Sequence, residues 1–330
     1  MKLLPYSNGL RKVSMKKKYT PKEKIKFITI TIGIILLIGF LYQRLSNFIT
    51  KETLKQRVDY TTVDDKRLDY RLEGEGDYTV VFDGAIGGNL EAWNPVIDEL
   101  ASDNVYTFVY NRRGYGFSDS GTERTPEEQA QDLKILLRKS GAPEPYILVG
   151  EEYGSLVLTS FAEQFKDSVA GVMLINPLDE SYIGTKEYRK SQLVNKLRRN
   201  IEKIGSNFGL TTLLDKFDLD VSLDSFENAI TEEQLDEFKA LRTKSKYTTA
   251  VYNELNNLLK GVSHSQVDGV FSGVPYYLLV NDENSNLSKL GDESLTKVYK
   301  TDNPESFSGL NNTENVVSGI RYIIKAVKDK

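Results

Sequence analysis

Residues 145–155 read PYILVGEEYGS, from Pro145 to Ser155. Tyr146 to Val149 is a continuous apolar run bounded by Pro145 and Gly150, which is the mark of a strand buried on both faces. Gly150 and Gly154 bracket Glu151, Glu152 and Tyr153, and Leu156 to Phe165 then has helical character. A strand that enters a helix through G-x-x-x-G makes a tight, strained turn and projects its middle residue above the sheet. Here the middle residue is Glu152.

Working outward, short apolar runs alternate with helical segments. Val63 to Leu72 has the residues of a strand pair crossing Asp64-Asp65, and Tyr78 to Phe82, Val105 to Tyr110, Val169 to Ile175, Tyr276 to Val280 and Lys297 to Lys300 read as strands. Pro126 to Lys139 has helical periodicity with proline near its start, and Asn315 to Val327 closes the chain as an amphipathic helix. Such alternation predicts an α/β domain with a mostly parallel sheet covered on both faces. Between about residues 178 and 265 the pattern turns polar, helical and irregular, and is read as a cap inserted over the carboxyl ends of the strands, where open α/β sheets bind ligands.

Near the N-terminus, Phe27 to Tyr42 (FITITIGIILLIGFLY) carries no charge. A membrane core needs about 20 apolar residues, and Leu45 with the snorkelling side chains of Lys26 and Arg44 extends the run. Six lysines between Lys16 and Lys26 precede it. Such a basic flank stays in the cytoplasm, so the remainder is expected to face outward. The resulting division is a basic cytoplasmic tail (1–26), one transmembrane helix (27–45), a linker or helix continuation (46–57) and a main domain (58–330). The competing readings are a cleaved signal peptide, which lacks a small-x-small cleavage pattern here, and a buried core helix.

The first 50 residues carry ten Lys/Arg against Glu23 alone, which leaves 33 bases against 46 acids in the remainder, a net charge of −13. So acidic a domain argues against nucleic acid as a partner. The absence of cysteine removes disulfides, thiolate metal sites and Cys nucleophiles.

The residues around the turn carry a resemblance. PYILVGEEYGS resembles the "PYILVGHSYGG" nucleophile elbow of a bacterial branch of the α/β-hydrolase superfamily. FDGAIGGNLEAW (Phe82 to Trp93) looks like that family's oxyanion-loop segment, YNRRGYGFSD (Tyr110 to Asp119) is similar to its "YDRxGYGxSD", and VPYYLLVND (Val274 to Asp282) resembles the strand that delivers the acid. The likeness runs from about Tyr78 to Ile324 and is weakest in the cap. It implies an α/β-hydrolase fold with a helical cap insertion, preceded by one transmembrane helix.

What the resemblance implies for chemistry is mostly loss. The nucleophile position holds Glu152, the preceding position, usually His in this branch, holds Glu151, and the acid position is Asp282. The catalytic base belongs after the last strand, yet no histidine lies between Ser265 and Lys330; the corresponding loop, Asn303 to Asn312, offers Ser306, Ser308 and Leu310. The single histidine, His264, precedes the acid in chain order, whereas this fold runs nucleophile, acid, His. It is read as incidental. Oxyanion-stabilising backbone N–H groups would be those of Tyr153 and Ala85, with the Glu152 carboxylate placed to occupy that hole itself.

Four readings of the acidic pair stand at this point. Glu151 and Glu152 could be a solvated pair at a helix start, stabilised by the macrodipole. They could line a pocket kept for binding without turnover. Glu152 could act as a carboxylate nucleophile, as Asp does in the haloalkane dehalogenase and epoxide hydrolase branches, though these need a His to clear the ester. Finally, Glu152 and Asp282 could form a carboxylate pair or share a cation. The expected function is a membrane-tethered protein without Ser-His-Asp hydrolysis that binds a small-molecule or protein ligand, with no cofactor, no metal site and no assigned catalytic residue beyond the vestigial positions Glu152 and Asp282. The rivals are an unconventional hydrolase at Glu152/Asp282 and a structural scaffold.

Overall fold

The computed structural model describes residues 19–53, 59–217, 219, 223–260, 264–281, 286–302 and 305–329, with nothing said of side chains 51–53. Helix α1 (Pro21–Thr53) is followed by the hairpin β1 (Asp59–Val63) and β2 (Lys66–Gly74). Asp64 and Asp65, at φ 47° and 57°, make its turn. Hairpin turns of this kind need positive φ at both central residues, which Asp tolerates better than most. Next come β3 (Thr79–Asp83), α2 (Asn94–Leu100), β4 (Tyr106–Tyr110), α3 (Pro126–Ser140), β5 (Tyr146–Glu151), α4 (Tyr153–Gln164) and β6 (Val169–Ile175).

Among the described residues, seven α-helices then intervene: α5 (Glu180–Ile183), α6 (Lys186–Ser191), α7 (Leu193–Gly205), α8 (Leu210–Lys216), α9 (Asp224–Glu227), α10 (Glu232–Arg242) and α11 (Ser245–Lys260). The chain returns through β7 (Tyr276–Val280), β8 (Thr296–Lys300), α12 (Ser308–Asn311) and α13 (Thr313–Lys328).

The eight strands form one sheet in the order β1-β2-β4-β3-β5-β6-β7-β8. β1 and β2 are antiparallel to their neighbours, and β4 through β8 are parallel. Side chains alternate between two cores. Val80, Phe82, Ile147, Val149, Met173 and Ile175 face α2 and α13, whereas Val81, Tyr146, Leu148, Val172 and Leu174 face α3 and α4. The apolar strands read from sequence are therefore buried on both sides, each Leu, Ile or Phe contributing about 1.5–3 kcal/mol. Local signals agree: α3 begins with a capping box between Thr125 and Glu128, has Pro126 in its first turn, and stops at Gly141 with φ 77°.

α1 is long and apolar enough to cross a membrane, and its most apolar window is not buried in the protein. The helix runs on to Thr53, into the segment read as a linker. Its far end packs on the helical insertion: Thr212 Oγ1 lies 3.2 Å from Gln43 Oε1, and Lys244 Nζ lies 2.8 Å from Ser46 Oγ.

Candidate functional site

Glu152 caps the carboxyl end of β5 with φ 45° and ψ −110°. A non-glycine residue there costs of order 1–3 kcal/mol, so the surroundings must enforce it. Backbone bonds do so: Glu152 N–H donates to the Ile175 carbonyl (3.1 Å), Gly154 N–H to the Gly84 carbonyl (3.1 Å) and Ser155 N–H to the Glu152 carbonyl (3.1 Å). Glycine at 154 is a steric demand, since a Cβ there would sit 2.3 Å from the Asp83 carbonyl oxygen. The strained elbow is thus built in full, with a carboxylate at its tip.

The acidic pair is not a solvated helix start. Glu151 is fully buried, and its Oε1 accepts the Ser308 N–H at 2.8 Å. Its Oε2 is buried without a partner among the described residues. Burial, reinforced by the charge of Glu152, pushes the Glu151 carboxyl up to about 8, so it is protonated at neutral pH. Burial also raises Glu152, against a hydrogen bond from the Ser306 hydroxyl to its Oε1. Both contacts come from the loop after β8, the place from which the resemblance leads one to expect a histidine. Phe307, at φ 60°, turns the chain so that its two neighbours meet the two carboxyls. The Phe307 ring is buried against Phe226 of α9, 5.2 Å between centroids.

The Glu152 carboxylate is therefore turned to Ser306. No hydrogen bond among the described residues links it to the N–H of Ala85 or Tyr153. Asp282 lies outside the described residues, so the Glu152–Asp282 pair has no geometry here, and the carboxyl neighbour of Glu152 that is seen is Glu151. No cluster of three or more metal-ligating side chains occurs among the described residues. His264 is exposed, on the segment leading into β7.

A residue the sequence reading passed over organises the floor of the site. Arg112 is buried and forms ion pairs with Asp83 and, at 2.7 Å, with Glu254 of α11. Its guanidinium also donates to the carbonyls of Gly84 (2.9 Å) and Ala85 (3.2 Å), and lies over the Tyr153 ring at 5.1 Å. Tyr115 donates to Glu254 at 2.6 Å and Tyr110 to Asp83 at 2.6 Å. One cation thus fixes the peptides of Gly84 and Ala85, the elbow aromatic and an insertion helix together. YNRRGYGFSD was legible as a family segment, but which arginine turns inward depends on Glu254, 142 residues away.

Above Glu152 lies a cavity of about 210 Å³ between the elbow and the insertion. Ile86, Leu178, Val251, Leu255 and Leu258 give it an apolar wall. Tyr188, Gln192, Asn195 and Arg199 supply polar groups from α6, α7 and the junction between them. Nothing in the sequence singled out Arg199, because its helix had no assigned orientation.

A family model described as alpha/beta hydrolase fold matches residues 78–272. Among solved structures, the chain is similar to the epoxide hydrolase CorEH without ligand (TM-score 0.64, 15% identity, 82% of this chain and 99% of that one). It is likewise similar to the Cif epoxide hydrolase from Acinetobacter nosocomialis (TM-score 0.63, 12% identity, 86% of this chain and 96% of that one). Uncharacterized protein YqjL of Bacillus subtilis (strain 168) is 30% identical over 106 residues, 32% of this chain and 42% of the relative, so the match spans less than half of that protein. With the sheet order, the strained elbow and the family match in agreement, the chain belongs to the α/β-hydrolase fold family.

Proposed function

We propose that this is a membrane-tethered member of the family that binds a small molecule over Glu152 and does not hydrolyse it by Ser-His-Asp chemistry. The observation that carries the reading is the Ser306–Glu152 hydrogen bond. Where the family's mechanism needs a base near pKa 7 facing a hydroxyl, this site faces a carboxylate with a hydroxyl. A serine hydroxyl cannot take up a proton at neutral pH, and no imidazole follows β8. Loss of triad members costs roughly 10⁴- to 10⁶-fold in rate. The backbone donors of Ala85 and Tyr153 would then orient a ligand rather than stabilise an oxyanion.

The cavity suits a ligand with an aliphatic body against Val251, Leu255 and Leu258, and a hydrogen-bonding end toward Asn195 and Arg199. Tethering follows from α1: its apolar window and the lysines before it support a single span with the N-terminus cytoplasmic and the main domain outside.

A second reading, attack by Glu152 as a carboxylate nucleophile, is favoured by its place at the tip of the elbow facing the cavity. Both are tested on the full chain in detergent with a small-molecule library and a panel of esters, epoxides and haloalkanes. The binding reading expects compounds that raise the melting temperature of the wild type and not of the cavity-filling variant Val251→Trp, with no turnover. Turnover abolished by Glu152→Gln would establish the nucleophile instead. Neither turnover nor any stabilising compound would leave a scaffold.

A further inference from the structure

Helix α7 (LVNKLRRNIEKIG) presents its apolar stripe to the outside. Leu193, Val194, Leu197, Ile201 and Ile204 are between 50% and 79% exposed. At about 100° per residue they fall within one arc of roughly 100°. The pocket-lining Gln192, Asn195 and Arg199 project from the opposite side of the same turns. The apolar surface continues past the helix through Phe208, Leu213, Phe217 and Leu219, all exposed. A surface of this extent on a soluble domain marks an interaction face.

Two observations identify what covers it. The first is where α1 meets it. The α1 backbone at Gly39 is packed so closely on Phe208 that a Cβ would lie 2.2 Å from the Phe208 carbonyl oxygen. Gln43 and Ser46 continue the contact to Thr212 and Lys244. The apolar run of α1 ends at Tyr42 and the span read from sequence at Leu45, so at 1.5 Å per residue Gly39 sits about 5–9 Å inside the membrane boundary. The turn at Phe208 is held at that depth, which places the apolar face of α7 and α8 along the boundary itself.

The second is charge. Residues 186–203 carry seven Lys/Arg against Glu187 and Glu202, whereas residues 51–330 as a whole carry a net charge of −13. Lys196 and Arg198 flank the stripe on either side. An apolar stripe edged with basic residues is the pattern of a helix lying in a lipid headgroup region, its apolar face sunk about 5–10 Å.

We propose that the insertion rests on the outer leaflet beside α1, with α7 and α8 lying in the interface and Lys196 and Arg198, at the edges of the stripe, on anionic headgroups. This rests on the membrane reading of α1 given above. Because α7 also walls the cavity, the site over Glu152 is then held against the bilayer, and lipid contact bears directly on the helix that contacts the ligand.

The chain has no cysteine, so single cysteines can report depth. Full-length Leu197→Cys, Leu213→Cys, Ile34→Cys and Arg138→Cys would carry an environment-sensitive fluorophore in phosphatidylcholine vesicles, with and without phosphatidylglycerol. Lipids bearing a quencher near the headgroup or deep in the tails complete the set. Arg138 is exposed in the last turn of α3, the end opposite the one that adjoins α11 through the Asn257–Arg124 hydrogen bond.

The proposal expects the headgroup-level quencher to dim positions 197 and 213 by about twofold or more and to leave 138 unaffected, more strongly with phosphatidylglycerol. Quenching at 34 by the deep lipid, with 197 and 213 no different from 138, would keep the anchor and overturn the docking. No quenching at 34 would remove the membrane reading and the docking with it. Shielding of 197 that ignores the lipid quenchers and grows with protein-to-lipid ratio would show that a second copy covers the face, and would also overturn it. Equal quenching without phosphatidylglycerol would refute the role of anionic headgroups.

Discussion

Glu151→Gln should change the pH dependence of folding more than any other single substitution in this site. In the unfolded chain the Glu151 carboxyl ionises near its ordinary value of 4.5, whereas in the folded chain burial and the charge of Glu152 hold it near 8. Below 4.5 both states are protonated and folding carries no charge penalty. Between 4.5 and about 8 the unfolded state alone releases the proton, so stability falls by about 1.4 kcal/mol per pH step. Above 8 the loss is complete, at about 3–5 kcal/mol, the upper figure being the full difference at 1.36 kcal/mol per tenfold change in affinity. Glutamine keeps an oxygen for the Ser308 N–H and has no charge to bury. Melting of the full chain in detergent, followed by far-UV circular dichroism from pH 4 to 9, should show variant and wild type together at pH 4, before the unfolded chain releases the proton. By pH 8.5 the variant should melt roughly 6–10 °C higher. Burial also raises Asp69, which gives both proteins a shared slope and cancels in the difference. Parallel curves across the whole range would refute the buried, protonated carboxyl. Glu152→Gln, by removing the neighbouring charge, should shrink the wild-type loss without abolishing it.

Three further outcomes follow from the geometry. Arg112→Met leaves Asp83 and Glu254 buried without their cation and should cost about 3–5 kcal/mol in denaturant unfolding; a loss under about 1 kcal/mol would mean the network is solvated. Gly154→Ala drives a methyl to 2.3 Å from the Asp83 carbonyl oxygen and should cost at least about 2 kcal/mol by the same measurement. Ser306→Ala removes the hydroxyl that favours the Glu152 carboxylate, so Glu152 should take up its proton at higher pH; carboxyl infrared bands followed through a titration would show it.

Much of the scaffold was legible because the sheet is buried on both faces. Val169–Ile175 and Tyr276–Val280 leave no polar position to confuse the period, and the strands match those read from sequence. The glycines of the elbow were equally plain, since close backbone approach leaves no alternative residue. The state of Glu151 and Glu152 was not legible. Two acids at a helix start look solvated, and only the loop around Phe307, more than 150 residues later, covers them. The same holds for Arg112, whose partner Glu254 lies in the insertion. The α1 helix outruns its apolar stretch because Gln43 and Ser46 find partners on the insertion, a contact that hydropathy does not encode. The orientation of α7 was likewise hidden: an amphipathic helix does not say whether its apolar face meets a core or a bilayer.

On the binding reading, no group at the tip of the elbow is activated for attack. Labelling of the full-length wild type with a fluorophosphonate probe at pH 7–8, beside Glu152→Ser and the double variant Glu152→Ser with Ser306→His, tests it most directly. The expected result is no label on the wild type or on Glu152→Ser, and label on the double variant alone, where a hydroxyl regains an imidazole. Stoichiometric labelling of the wild type would contradict it.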